Sequence, residues 1–135
     1  MAPPYLLDAN AISDAMKAQP NLVGKLASRK GSVTTSVVVQ GEIRYGLELL
    51  PPGKRRRDLE AKAAAILGVL GIEPVTEAMA VRYADIRSAM EKQGLVLGDN
   101  DMWIAATALT IGAVLVTRDG GFSQVPGLQV EDRTK

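Results

Sequence analysis

The run AVLVT at residues 113–117 is the clearest strand in the sequence, and it decides the fold class. A continuous apolar run of this kind is typical of a strand in a parallel sheet that is buried on both faces. Shorter, partly β-branched runs predict further strands at residues 5–7, 32–35 and 72–75. Helical stretches separate these runs, and such alternation predicts an α/β fold with a mainly parallel sheet.

The helical stretches are bounded by glycine and proline, which mark the joins between elements. We predict helices at roughly 12–29 with a break near Pro20, and at 37–50, 54–69, 77–92 and 101–111. A chain of 135 residues is long enough to bury one hydrophobic core. Because no internal repeat, low-complexity tract or linker interrupts it, we expect a single domain over residues 1–135.

Composition excludes several kinds of chemistry. The chain has no cysteine, which excludes disulfides, thiolate nucleophiles and cysteine zinc sites, and no histidine, which excludes the commonest general base. The net charge is only +1, so nucleic-acid binding would depend on local clusters of basic residues. Catalysis must therefore rest on carboxylates, hydroxyls, lysines or a hard metal ion.

No segment resembles a targeting signal or a membrane span. The first four residues lack the basic start and apolar stretch of a signal peptide. The longest uncharged run, residues 102–117, falls short of the about 20 apolar residues that a spanning helix needs. We therefore expect no membrane association and a cytoplasmic location.

Two aspartates follow predicted strands. Asp8 ends the run at 5–7, and Asp119 comes two residues after the strand that ends at Thr117. Ligands bind at the carboxyl ends of strands in open parallel sheets, which suggests a site there. Taken singly, an aspartate after a strand is more often a turn former or a helix cap.

Two more acids interrupt helices that otherwise look apolar. Glu42 shares one face with Val38, Tyr45 and Leu49 in the predicted helix 37–50. A buried carboxylate costs several kcal/mol without a partner, and a structural ion pair with Arg44 or a distant lysine is an equal alternative for Glu42 alone.

The helix starting near Asp101 is apolar almost all round, which marks a buried helix. Asp101 shares a face with the small residues Ala105, Ala108 and Gly112. Asp99 and Asn100 are natural N-cap residues, and capping explains Asp99 better than Asp101.

Four acids are thus expected near one edge of the sheet. Two carboxylates about 4 Å apart repel by about 4 kcal/mol at an effective dielectric near 20, so a cluster requires cations or raised pKa values. Oxygen-only ligation suits Mg²⁺ or Mn²⁺ rather than zinc. A site of this kind performs metal-assisted hydrolysis of phosphodiesters. The four acids are Asp8, Glu42, Asp101 and Asp119.

Four segments, in order along the chain, resemble the motifs of PIN domains and of VapC-type toxins in particular. The first is YLLDAN at residues 5–10, and the second is SVVVQGEIRYG at 36–46. The third is GDNDMWIAATA at 98–108, and the closing motif is LVTRD at 115–119 with the segment around Phe122 and VPGL at 125–128 after it. Each motif alone is weak, but four in the family's order cover nearly the whole chain.

The resemblance implies a three-layer α/β/α sandwich around a parallel sheet of four or five strands. It also implies an endoribonuclease whose acidic quartet (Asp8, Glu42, Asp101 and Asp119 by correspondence) binds one or two Mg²⁺ or Mn²⁺ ions. Asn10, Ser36 and Thr117 would orient the carboxylates or water. The expected partners are an RNA substrate, a VapB-like antitoxin that covers the acidic groove, and a second copy of the chain in a homodimer.

The departures from the family pattern are mild. The first motif reads Asp-Ala-Asn where Asp-Thr-Asn is commoner, and Asp99 adds an acid beside Asp101. Either acid of that pair could hold the metal, and the helix face favours Asp101, with Asp99 as an outer neighbour. A receiver domain of phosphotransfer signalling fits badly, and a catalytically inactive PIN-like module that binds a protein partner is the alternative function.

One basic cluster could contact RNA. Lys54, Arg55, Arg56 and Arg57 are consecutive, and cations are mildly unfavourable at a helix N-terminus, which suggests a phosphate ligand. An equally good interpretation is a solvated helix start in which Asp58 and Glu60 are the local partners.

Overall fold

The computed structural model describes residues 3–18 and 32–132. Its elements in chain order are β1 (Tyr5–Leu7), α1 (Ala9–Ala18), β2 (Val33–Ser36), α2 (Val37–Glu48), α3 (Lys54–Val69), β3 (Gly71–Glu73), α4 (Glu77–Lys92), α5 (Asp99–Ile111), β4 (Val114–Val116), a 3₁₀ helix (Gly120–Gln124) and β5 (Val130–Glu131). The predicted helix at 12–29 begins earlier, at Ala9, and the remainder of that stretch, with its break near Pro20, lies outside the described residues.

Five strands form a single parallel sheet in the order β3-β2-β1-β4-β5. The central strand is β1, where Leu6 lies opposite Thr34 of β2 and Leu115 of β4. Helices flank this sheet, so the predicted α/β fold with a parallel sheet is confirmed, at the upper of the two predicted strand counts. This arrangement brings the carboxyl ends of β1, β2 and β4 to one edge.

The strand bounds differ from the predictions at four strands. β2 begins and ends one residue later than the predicted run at 32–35. β3 ends at Glu73 rather than at residue 75, because Pro74 has no N–H to donate to a neighbouring strand. β4 is one residue shorter at each end than the run at 113–117. β5 was not predicted, since a strand of two residues carries no periodicity to detect.

The core lies between the sheet and its helices. Leu6 and Leu115 from the two central strands are fully buried, as are the alanines of α5 that face the sheet. The expectation that α5 is a buried helix is confirmed, and the helix ends at Gly112, whose φ of 69° is left-handed. Within the described part of the chain, no helix has the length and apolar character needed to cross a membrane.

The prediction of a buried apolar face on α2 is wrong. Tyr45 and Leu49, which share that face with Glu42, are 66% and 67% exposed. α2 instead buries Val39, and Val38 and Ile43 pack against the core from intermediate positions. Glu42 therefore lies at the border between core and solvent rather than within an apolar stripe.

Candidate active site

Asp8 is the most constrained acid of the site. It directly follows β1 and is almost fully buried, with 4% of its surface exposed. Its Oδ1 accepts a hydrogen bond from the backbone N–H of Ala11 at 2.7 Å, and its Oδ2 accepts one from the hydroxyl of Thr117 at 2.5 Å. Asp8 thus caps the first turn of α1, and the two bonds fix the orientation of its carboxylate.

Thr117 connects Asp8 to Asp119. Besides donating to Asp8, its Oγ1 accepts a hydrogen bond from the backbone N–H of Asp119 at 3.0 Å. Asp119 is exposed, and its Oδ1 accepts from the backbone N–H of Gly121 at 2.9 Å, which caps the 3₁₀ helix. The structural roles expected of an aspartate after a strand are therefore present at both Asp8 and Asp119.

Glu42 and Asp101 face the same region from α2 and α5. Burial, followed by the negative charges of Asp101 and Asp8, raises the pKa of Glu42, and a hydrogen bond from Asn100 partly offsets this. Burial, followed by the charges of Asp119 and Asp8, raises the pKa of Asp101. The four carboxylates are thus close enough for their charges to act on one another.

The pKa of Asp8 is also raised. Burial is the main cause and the charge of Asp119 adds to it, while the hydrogen bonds from Thr117 and Ala11 and the positive charge of Arg118 act in the opposite direction. Among the described residues, Arg118 is the only cation that lowers the pKa of any of these three raised acids. Its Nε also donates to Asp14 Oδ2 at 2.7 Å, so its charge is shared with an acid outside the four.

The acids form a coupled group rather than a closed set of metal ligands. In residues 3–18 and 32–132, no three acidic side chains are placed so that they could hold a metal ion as they stand. This does not disfavour magnesium, which usually keeps several waters and binds through one or two carboxylates. An all-oxygen donor set without thiolate or imidazole suits such a hard, hydrated cation.

A profile of the PIN domain matches residues 5–128, the stretch that contains all four acids. The chain belongs to the PIN domain family. Its relatives include the VapC ribonuclease Y4jK of Sinorhizobium fredii, 31% identical over 93% of this chain and 94% of that one. Toxin FitB of Neisseria gonorrhoeae is 37% identical over 86% of this chain and 88% of that one.

Solved structures agree with this assignment. FitAcB from Neisseria gonorrhoeae superposes with a TM-score of 0.79 and 32% identity over 95% of this chain and 96% of the other. VapBC2 from Rickettsia felis, bound to a DNA fragment from its promoter, gives a TM-score of 0.80 and 28% identity over 94% and 96% of the two chains. The fold predicted from the sequence motifs is therefore the fold that this chain shares with these solved structures.

Of the three residues predicted to orient the carboxylates or water, one contacts an acid of the site directly. Thr117 contacts Asp8, as described above. Ser36 is fully buried, and its Oγ accepts a hydrogen bond from the backbone N–H of Val38, so it caps α2, the helix of Glu42. Its predicted role towards a carboxylate stays a prediction. Asn10 is an exposed residue of the first turn of α1, and its role stays a prediction.

The predicted capping role of Asp99 or Asn100 is wrong. The N-cap of α5 is Gly98, which has no side chain, so the helix begins two residues earlier than predicted. Asp99 instead accepts a hydrogen bond from the hydroxyl of Tyr83 on α4 at 3.1 Å. The contact between Tyr83 and Asp99 was not predicted from the sequence. The only local signal is that Tyr83 lies one helical turn before Arg87 in the predicted helix 77–92.

The basic cluster begins α3 and is partly engaged in ion pairs. Lys54 pairs with Asp58 at 3.6 Å, and Arg56 pairs with Glu48 at 3.1 Å and Glu60 at 3.3 Å. Arg56 also donates to the carbonyl oxygen of Leu50, just beyond the C-terminus of α2. The two predicted local partners are therefore used. RNA contact stays a prediction for all four bases, of which Arg55 and Arg57 are exposed.

Proposed function

We propose that this PIN domain is a metal-dependent endoribonuclease that hydrolyses RNA phosphodiesters and serves as the toxin of a VapBC-like toxin–antitoxin pair. The observation that carries the proposal is the convergence of four carboxylates at one edge of the sheet, where Arg118 is the one described cation that lowers the pKa of a raised acid, and only that of Asp8. Raised pKa values at Asp8, Glu42 and Asp101 reflect burial together with this mutual repulsion. A bound cation would remove the repulsion.

Each acid contributes differently to holding such a cation. Asp8 is oriented by Thr117 and Ala11, so its carboxylate needs little further ordering on binding. Asp101 lies in the first turn of α5 and Glu42 in the middle of α2, both partly open to solvent. Mg²⁺ or Mn²⁺, when bound, supplies a water of lowered pKa and neutralises charge that develops on the phosphate.

The alternative of an inactive protein-binding module is less well supported, because none of the four acids is missing. The relatives and solved structures of VapC, VapBC and FitAB type support an antitoxin as the natural partner. RNA as substrate follows from the ribonuclease names of the relatives and from the phosphodiester chemistry of the site. A homodimer, a single domain over residues 1–135 and a cytoplasmic location complete the proposal.

The test is cleavage of defined RNA by the purified chain, with the new RNA ends sequenced. We expect products with 5′-phosphate and 3′-hydroxyl ends in Mg²⁺ or Mn²⁺ and no cleavage in EDTA, because a site of carboxylates cannot by itself offset the negative charge that develops on the phosphate. Asp8→Asn is the control for contaminating nuclease. Undiminished, Asp8-dependent cleavage in EDTA, or cyclic phosphate ends, would contradict the metal-dependent mechanism.

A further inference from the structure

A network of polar and aromatic side chains joins α4 to the start of α5. The ring of Tyr83 stacks on Trp103, with ring centroids 4.2 Å apart and planes inclined by 16°. The hydroxyl of Tyr83 donates to Asp99 Oδ1 at 3.1 Å and accepts from Arg87 Nη1 at 2.9 Å. Asp99 and Trp103 are one helical turn apart, so one tyrosine contacts both.

The start of α5 needs an anchor for two reasons. Its N-cap, Gly98, provides no side-chain hydrogen bond, so nothing caps the first turn in the usual way. That turn also carries Asp101, on which the charges of Asp8 and Asp119 act unfavourably. Repulsion among the acids therefore acts on a helical turn that has no side-chain cap.

The anchor lies on the opposite side of the helix from the acids. Successive residues of an α-helix are rotated by about 100°, so Asp101 projects roughly opposite to Asp99. Tyr83 thus restrains α5 from the face turned away from the site. Arg87 directs the hydroxyl proton of Tyr83 towards Asp99, because it donates to the same oxygen, and its Nε donates in turn to Glu91 Oε1 at 3.1 Å.

We propose that Tyr83 is a positioning residue for Asp101, which fixes the first turn of α5 through its hydrogen bond to Asp99 and its stack on Trp103. The inference rests on the proposed function, since it assumes that Asp101 helps to hold the metal ion. It also assigns Asp99 a role as the anchored residue of this turn rather than a metal ligand.

The central test is Tyr83→Phe, which keeps the ring and its stack on Trp103 but removes the hydroxyl. We expect Mn²⁺ binding, measured by calorimetry, to weaken about threefold to tenfold, the range produced by loss of one hydrogen bond. The kcat for RNA cleavage should fall with KM for RNA unchanged. Arg82→Gln is the matched control, an exposed neighbour on α4 outside the network, and should leave both unchanged.

Substitution of Asp99 separates anchoring from ligation. Asp99→Asn keeps an oxygen that accepts from Tyr83, so it should bind Mn²⁺ like the parent. Asp99→Ala removes this hydrogen bond and also the ion pair with Arg87 at 3.7 Å, so it should weaken Mn²⁺ binding at least as much as Tyr83→Phe. If Asp99→Asn loses Mn²⁺ binding as strongly as Asp101→Asn, Asp99 is a ligand and the inference is overturned.

Thermal unfolding distinguishes positioning from mere stabilisation. A lower melting temperature of Tyr83→Phe with unchanged Mn²⁺ affinity and kcat would overturn the inference while leaving the proposed function intact. Failure of the parent itself to bind Mn²⁺ and cleave RNA would overturn the proposed function, and this inference with it.

Discussion

The acids at the sheet edge and the bases at the start of α3 are two charge clusters built in opposite ways. Asp8, Glu42, Asp101 and Asp119 come from four separate parts of the chain and converge. The bases at 54–57 are neighbours in sequence, yet Lys54 and Arg56 are each paired with acids and Arg55 and Arg57 project separately into solvent.

The contrast shows how to separate functional charge from structural charge. A cluster that the fold assembles against its own repulsion costs stability, so it requires a ligand to explain it. A cluster whose members have opposite charges nearby needs no such explanation, because exposed pairs contribute at most about 1 kcal/mol each. In this protein, convergence of like charges in space is therefore a stronger indication of a functional site than a run of like charges in the sequence.

The largest expected effect comes from breaking the acidic cluster with Asp101→Asn. Activity should fall strongly. Loss of a residue that only supports a metal ligand typically reduces activity about 10- to 100-fold, and we expect a larger loss here. The metal-free variant should melt at the same temperature as the parent or higher, because one repelling charge is gone. Mg²⁺ at one hundred times its Kd should stabilise the parent by about 2.7 kcal/mol and the variant by less.

Asp85→Asn on α4 is the matched control, since Asp85 is an exposed aspartate whose charge is not among those that shift the pKa of Asp8, Glu42 or Asp101, and it should change neither activity nor the response to Mg²⁺. A sharp fall in the melting temperature of metal-free Asp101→Asn would show that Asp101 belongs to a buried ion pair, whose disruption costs about 3–5 kcal/mol. In that case the acidic cluster, like the basic one, would be held by structural ion pairs.

The pH dependence of stability provides an intermediate test of the acidic cluster. A carboxyl whose folded pKa is raised binds its proton more tightly in the folded state, so its favourable contribution is complete below its unfolded pKa and is lost as pH rises through the folded pKa. The ordinary values are 3.8 for Asp8 and Asp101 and 4.5 for Glu42, and all three are raised. The metal-free protein should therefore lose stability above these values as the pH approaches neutrality.

The variant Asp101→Asn isolates the contribution of the Asp101 charge to this pH dependence, because asparagine resembles the protonated acid. The two proteins should melt at similar temperatures near pH about 4, and the variant should gain an advantage as the pH rises to about 7. Saturating Mg²⁺ should reduce or reverse this advantage. A difference in melting temperature that does not change with pH in EDTA would mean that the charge of Asp101 is not opposed by its neighbours.

The smallest effects are expected at the basic cluster, and they should divide it in two. Changing both Arg55 and Arg57 to Gln should weaken RNA binding and lower the salt dependence by about 0.7 per lost phosphate contact, without altering the melting temperature. Arg56→Gln should instead lower stability by about 1 kcal/mol, because it removes pairs with Glu48 and Glu60. An unchanged salt slope in the double variant would assign the whole cluster to the solvated surface.

Local patterns in the sequence predicted much of the fold. The helices at 54–69 and 77–92 were predicted with their observed bounds, since proline, glycine and a capping threonine mark their ends. The buried character of α5 followed from an apolar sequence all round the helix. The apolar face of α2 was placed wrongly because helical periodicity shows which residues share a face but not whether another element covers that face.

The sequence by itself predicted a site built on carboxylates, the order of the helices and of the first four strands, and the acids that end or interrupt them. Only the tertiary structure decided which charges meet, because this depends on the strand order of the sheet and on distances between segments remote in the chain. It paired Arg56 with Glu48 of the preceding helix, and it anchored Asp99 to Tyr83 on another helix. Such contacts between elements leave no periodicity along the chain, and so no local pattern could have predicted them.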